Sequence, residues 1–455
     1  MKLTERFAHF IATTNYDTIP AEAIAVAKER IMDTLGAAVA GAKTWEFREN
    51  FLAACRRHGK GGYAVFVQGV NEFPLPRAAM INATFAHVVE LDDGHKNAGV
   101  HAGAAIVPLA LTLGASLGCS GREILAAVVI GYDVVYRLAA AMAPYQIQKG
   151  FHPSGNDDTI GCMAVAGKLL GLSEKQLANG LGLSALYASG LMEATVSGQS
   201  SKCIQVGNAA FNGLSAAYYA AEDMEGTLTA FEGKTGFFNA KSQDVDVEKV
   251  CEGLGEKFVI GDTYNKLYPT CRHSQPCIEA ALDLAEENGI KWEDVASVWA
   301  GTHQVAYDLT GVIKEPKNAA EAKFSIAYGI ALALHEHRFG MAQLEEKFTS
   351  DPVNRELAQK VTVVVDPEVQ AVYPKKRGAR VKITLKDGRE FAKELYDLKG
   401  SPNAPIGWAE LEKKYRGNVE GIFDDAEANR ALELIQGMDS LDGVSELMAI
   451  LNKKR

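Results

Sequence analysis

Five stretches, at residues 102–118, 121–143, 157–171, 174–196 and 203–222, are dominated by Ala, Gly, Leu and Val. Runs such as Ala164-Val165-Ala166-Gly167 and Gly180-Leu181-Gly182-Leu183 carry little side-chain bulk. Small side chains let helix backbones approach closely, so successive segments of this composition predict a compact, mostly α bundle. Further helices are expected at 3–16, 20–41 and 74–90. In the second, Ile31, Leu35 and Ala38 share a face and Pro20 stands near the start. Ser120 and Glu123 have the spacing of a capping box at the head of 121–143.

The pattern changes after about residue 255. Val295–Ala300 and Val361–Val365 read as strands, the latter stopped by Asp366-Pro367. Arg380–Leu385 alternates polar and apolar residues, and Lys386-Asp387-Gly388-Arg389 turns it back into Glu390-Phe391-Ala392. Helices at 275–288 and 319–337 are interleaved. A chain of 455 residues exceeds one simple core. The expected fold is mostly α: a large all-helical domain over 1–264, completed by the helical tail within 399–455, and a smaller α+β domain over 265–398.

The net charge of −10 argues against nucleic acid as a partner and requires local cations if the substrate is a carboxylate. Seven cysteines, an odd number without a Cys-x-x-Cys pair, fit a reducing cytoplasm. Met1–Arg6 leads into no secretory-type apolar run, and the apolar stretch Ala102–Leu117 is short for a membrane span, so a cytoplasmic protein with no membrane partner is expected. No Gly-x-Gly-x-x-Gly in a strand-turn-helix setting and no phosphate-binding loop supports a nucleotide.

Charged and imidazole groups concentrate where the apolar segments end. The first such place holds Glu90, Asp92, Asp93, His95 and His101. These carboxylates can cap a helix, orient a histidine or take a proton, and a metal site is a weaker reading without a helical His pair. His101 and His152 each precede a helix, where backbone N–H groups favour anions. Lys202 opens the helix at 203–222, an unfavourable place for a cation unless it faces an anion. Lys266-Leu267-Tyr268-Pro269-Thr270-Cys271-Arg272-His273-Ser274 packs two cations, a tyrosine and a histidine before a helix, and Arg272 suits bidentate carboxylate binding. Tyr328, in an apolar helix, reads as core on its own.

Together these segments resemble the MmgE/PrpD family. The matching strings are Leu91-Asp92-Asp93 with His101, Gly150-Phe151-His152, Lys202 with Gly207-Asn208-Ala209-Ala210, Phe231–Phe237, Lys266–Arg272 and Phe324–Tyr328. They occur in the expected order over about residues 5–400. The resemblance implies a lid-like second domain, an active site between the domains, a homodimer, and proton chemistry beside a carboxylate with no cofactor and no metal. Members include 2-methylcitrate dehydratase, cis-aconitate decarboxylase and iminodisuccinate epimerase. It brings Tyr328 into the site with His101, His152 and Lys202. Glu90 stands where aspartate is common, Gly94 where threonine is common, and Gln275 where histidine is common, two residues after His273.

The expected activity is a dehydratase-like lyase acting on a small di- or tricarboxylate. It removes a proton adjacent to a carboxylate and eliminates a β leaving group. His152, Lys202, His101, Tyr328, Glu90 and Asp93 form the expected catalytic set. Arg272, His273, Lys266, Gln275 and His95 form the expected substrate-binding set. An epimerase of a dicarboxylate, and a non-catalytic carboxylate-binding protein, remain open alternatives.

Overall fold

The computed structural model describes residues 1–95, 97–197, 199–243 and 245–454. The chain divides into two compact units, the first formed by Met1–Thr195, Ser200–Tyr264 and Gly407–Arg455, the second by Asn265–Ile406 with Val196–Gln199.

The first unit is helical. Its principal elements are α1 (Ala21–Thr44), α2 (Leu75–Val88), α3 (Gly103–Leu117), α4 (Gly121–Met142), α5 (Pro153–Leu169), α6 (Glu174–Tyr187) and α7 (Lys202–Ala221). α5 and α7 pack on each other, α7 also on α2, and α4 on α5. Glycine sets two of these spacings. A Cβ on Gly161 of α5 would stand 2.2 Å from the Val135 side chain of α4, and one on Gly207 of α7 would stand 2.1 Å from Thr84 Oγ1 of α2. α4 is long and apolar enough to cross a membrane, but 89% of its apolar window is buried inside the protein. It also holds the buried ion pair Asp133–Arg137 at 2.5 Å. Its N-terminus carries the expected capping box: Ser120 Oγ accepts from Glu123 N–H while Glu123 accepts from Ser120 N–H at 2.8 Å.

The segment at 174–196 is not one helix. α6 stops at Tyr187, and Glu193–Val196 makes a separate turn of helix. Ala188-Ser189-Gly190 breaks the run, with Gly190 at φ 149°. The released Gly190 carbonyl accepts from His152 N–H at 3.0 Å and Asn156 Nδ2 at 3.0 Å. The break therefore supplies the contacts that fix the head of α5. From the tail, Trp408–Val419 packs on α1, and its Lys414 donates to the Leu91 carbonyl at 2.7 Å.

The second unit is α+β. Val295–Thr302 (β1) pairs in parallel with Val361–Val365 (β2) and antiparallel with Ala379–Leu385 (β3), which forms a hairpin with Glu390–Leu395 (β4). The sheet order is β2-β1-β3-β4. β3 alternates buried and half-buried residues, and Gly388 turns the hairpin at φ 88°. Gln275–Asn288 (α8) and Ile326–His335 (α9) share the core with the buried face, through Ala281, Ile330, Val381 and Ile383. The helix expected over 319–337 is interrupted: Ala319–Ala322 ends first, and Ser325 caps α9 by accepting from Tyr328 N–H at 3.0 Å.

Candidate active site

The end of α2 builds one wall of the site in the first unit. His87 lies in its last turn, wholly out of solvent, with Nδ1 2.7 Å from the equally buried Asp92 Oδ2. The chain leaves the helix through Glu90, whose φ of 55° is left-handed. A non-glycine residue there costs about 1–2 kcal/mol. The turn sends the Glu90 carboxylate to the Lys202 ammonium at the start of α7. That ion pair offsets the unfavourable position of a cation in a first helical turn.

Asp92 and Asp93 are fully buried. Gly94 and His95 then pair antiparallel with Tyr264 and Thr263. The His95 ring stacks on Tyr136 of α4, centroids 4.6 Å apart. Before α3, His101 N–H donates to Ser154 Oγ at 3.0 Å. His101 Nδ1 lies 2.6 Å from the Asp93 carbonyl. A carbonyl only accepts, so this nitrogen carries the proton. Asp93 Oδ1 accepts from Gly103 N–H at 3.1 Å. Burial raises the Asp93 carboxyl to about 7 despite the opposing pull of Arg30.

His152 caps α5 from the other side. Its side chain is buried, and Nδ1 has no hydrogen-bond partner among the described residues. Burial, then the positive charge of Lys202, with smaller contributions from the neighbouring His87 and His101, hold its pKa well below the usual imidazole range. It is therefore neutral at pH 7, as a proton acceptor must be. Behind it, neither carboxylate oxygen of buried Asp158 has a partner among the described residues. Burial and the nearby Asp157, Asp93 and Asp92 push its pKa well up. Asp157 accepts from Gln146 at 2.8 Å. The Lys241 ammonium contacts Asn156 and lies 3.6 Å above the Phe237 ring, and burial lowers its pKa to about 8.

Glu90, Asp93, His95, His101, His152 and Lys202 thus lie in one polar cluster within the first unit. The remaining expected residues belong to the second unit. Arg272 donates to Gln275 Oε1 at 2.7 Å, to Ser401 Oγ at 3.0 Å and to the Asn265 carbonyl at 3.4 Å. Gln275 Nε2 donates to the Tyr268 and Thr270 carbonyls, each at 3.1 Å. Gln275 is buried and holds Arg272 and the loop together. Lys266 is buried on the same loop. His273 Nδ1 is 3.4 Å from His303 Nε2, and His303 stacks on Tyr373 with centroids 4.0 Å apart. Burial and Arg377 lower the His303 pKa to about 4. Tyr328 lies in a core cluster with Phe339 and Leu332, and its hydroxyl donates to the Gln343 carbonyl at 2.8 Å.

Sequence reading passed over His87, Asp158, Lys241, Tyr136 and His303. His87 left a faint trace, an imidazole in an apolar helix five residues before Asp92. The others became notable only through burial. Among the described residues, no group of three or more His, Cys, Asp or Glu is arranged to hold a metal ion.

Family models match in two blocks, the MmgE/PrpD N-terminal domain over residues 5–249 and the MmgE/PrpD C-terminal domain over 268–440. Cis-aconitate decarboxylase of Aspergillus terreus is 26% identical over 99% of this chain and 96% of its own. Human cis-aconitate decarboxylase is 24% identical over 99% and 94%. The 2-methylcitrate dehydratase of Salmonella typhimurium is 23% identical over 60% of this chain and 59% of its own.

Proposed function

The chain belongs to the MmgE/PrpD family, and on that premise we propose that it is a lyase that moves a proton at a carbon adjacent to a carboxylate of a small di- or tricarboxylate. In the dehydratase-like reaction the C–H electron pair forms the new C=C bond and the β leaving group departs with its own bonding pair. The observation that carries this reading is the buried His152, held neutral beside Lys202, His87 and His101.

An imidazole held so far below its usual pKa is a poor base when the site is empty. A bound dianion changes that balance. Its carboxylates face Lys202 and His101, cancel the positive potential, and let His152 take up a proton. The ammonium and the nearby imidazoles then stabilise the charge that develops on the substrate carboxylate. Glu90 fixes the Lys202 ammonium. Arg272, oriented by Gln275 and Ser401, is proposed to hold a substrate carboxylate.

The near-full-length likeness to cis-aconitate decarboxylases favours a second reading, loss of CO₂ followed by protonation of the same carbon. NMR in D₂O against 2-methylcitrate, citrate, cis-aconitate, tartrates and iminodisuccinate separates the outcomes. A new vinylic signal with loss of water supports elimination, and CO₂ release with deuterium in the product supports decarboxylation. Deuterium uptake at an unchanged substrate means an epimerase. No exchange with any compound counts against catalysis and toward a binding protein.

A further inference from the structure

His87 takes no direct part in the proposed lyase chemistry. Its Nδ1 is 2.7 Å from Asp92 Oδ2, and both side chains are wholly buried. An ionised carboxylate only accepts, so the His87 proton sits on Nδ1 and Nε2 is left as an acceptor. Among the described residues His87 Nε2 has no hydrogen-bond partner, and neither does Nδ1 of His152. The two rings have centroids 5.9 Å apart, and His101 flanks His87 at 5.4 Å. A buried ring nitrogen without a partner costs about 1–3 kcal/mol. With the His152 proton on Nδ1, the two become a donor and an acceptor on adjacent rings, at a centroid spacing that one water can bridge.

We propose that Asp92 and His87 form a proton-holding dyad behind His152, with His87 receiving the Nδ1 proton of His152 as His152 takes the substrate proton on Nε2. The C–H bond breaks and its electron pair stays with the substrate. The new N–H bond forms on His152 Nε2, the Nδ1–H bond of His152 breaks, and an N–H bond forms on His87 Nε2. His152 ends neutral, His87 ends as an imidazolium, and Asp92 remains ionised. One positive charge balances the negative charge created on the substrate. That positive charge rests beside the Asp92 carboxylate instead of beside the Lys202 ammonium. Among the described residues, the other charged or titratable groups around this space are Glu90, Lys202, His101, Asp93 and Asp158. His87 and Asp92 are positioning residues here, since they act through His152. The substrate step rests on the proposed proton-transfer chemistry; the dyad and its tautomer do not.

The test uses the full ¹⁵N-labelled chain without substrate. Long-range ¹H–¹⁵N correlations of the histidine rings are recorded at pH 7, with His87 assigned by its loss in His87→Gln. The expected result is an Nδ1–H tautomer for His87. It should switch to Nε2–H in Asp92→Asn, whose amide can donate to Nδ1, and return in Asp92→Glu. With whichever panel compound turns over, Asp92→Asn and His87→Gln should each lower kcat roughly a hundredfold or more with KM nearly unchanged, and Asp92→Glu should recover part of it. A native His87 protonated on Nε2 overturns the dyad. A switched tautomer with unchanged kcat overturns its role in the reaction. If nothing in the panel turns over, the proton-transfer reading fails, while the tautomer still decides whether the dyad exists.

Discussion

The polar cluster of the first unit and the Arg272 loop of the second hold similar side chains in opposite ways. In the loop, Arg272 and Gln275 bond to each other and to backbone carbonyls, and Thr270 and Ser274 share a hydroxyl contact. In the cluster, His152 Nδ1, His87 Nε2 and both Asp158 oxygens are buried without partners among the described residues. A saturated network is rigid and poses a cation in one direction. A cluster with orphaned nitrogens and carboxylates keeps proton positions open, at a cost in stability. The contrast separates side chains locked in one orientation from side chains whose protons can shift.

Lys202→Ala should break this contrast most severely. It takes the ammonium away from the buried Glu90 carboxylate, and breaking this ion pair should cost about 3–5 kcal/mol of stability. Activity should fall by about three orders of magnitude as well. Calorimetry and kcat/KM measure both, and a stable, fully active variant would remove Lys202 from the site.

Asp93 offers a pH test. Its folded pKa of about 7 lies above the ordinary 3.8, so the native state binds the proton more tightly. The contribution from Asp93 is full below about pH 4 and is lost as pH rises to 7, by up to about 4 kcal/mol. Asp93→Asn should flatten that part of the stability profile while keeping the Gly103 contact. An unchanged slope in melts between pH 4 and 8 would show that Asp93 is not held protonated.

In the second unit the effects should be smaller and of another kind. Gln275→Ala removes one acceptor from Arg272 and the donor to the Tyr268 and Thr270 carbonyls, for about 1–3 kcal/mol. KM should rise more than kcat falls; a kcat-only effect would place Gln275 in the chemical step. Tyr328→Phe removes one hydrogen bond to Gln343 and should cost about 1 kcal/mol, with kcat changed less than threefold. A hundredfold drop in kcat would place the phenol in the reaction.

Local pattern made much of the fold legible. The Ser120–Glu123 box, the turn at Lys386–Arg389 and the helix beginning at Gln275 each depend on residues a few positions apart, and all three formed as read. The continuous helices expected at 174–196 and 319–337 failed at Gly190 and Ser325, where a tertiary contact or a cap outweighed apolar periodicity. For the site, positions at helix heads drew attention to His101, His152 and Lys202. His87 stayed hidden because an imidazole in an apolar helix has the local signature of a core residue.

The sequence alone determined most of the helices, the strands of the four-stranded sheet and where ionisable groups collect at element ends, because propensity, capping and turn chemistry act over a few residues. Only the tertiary structure decided which of those groups are cut off from water and which are brought against one another. That depends on burial and on charges brought together from α2, α5 and α7, and desolvation is a property of the packed assembly that no single segment carries.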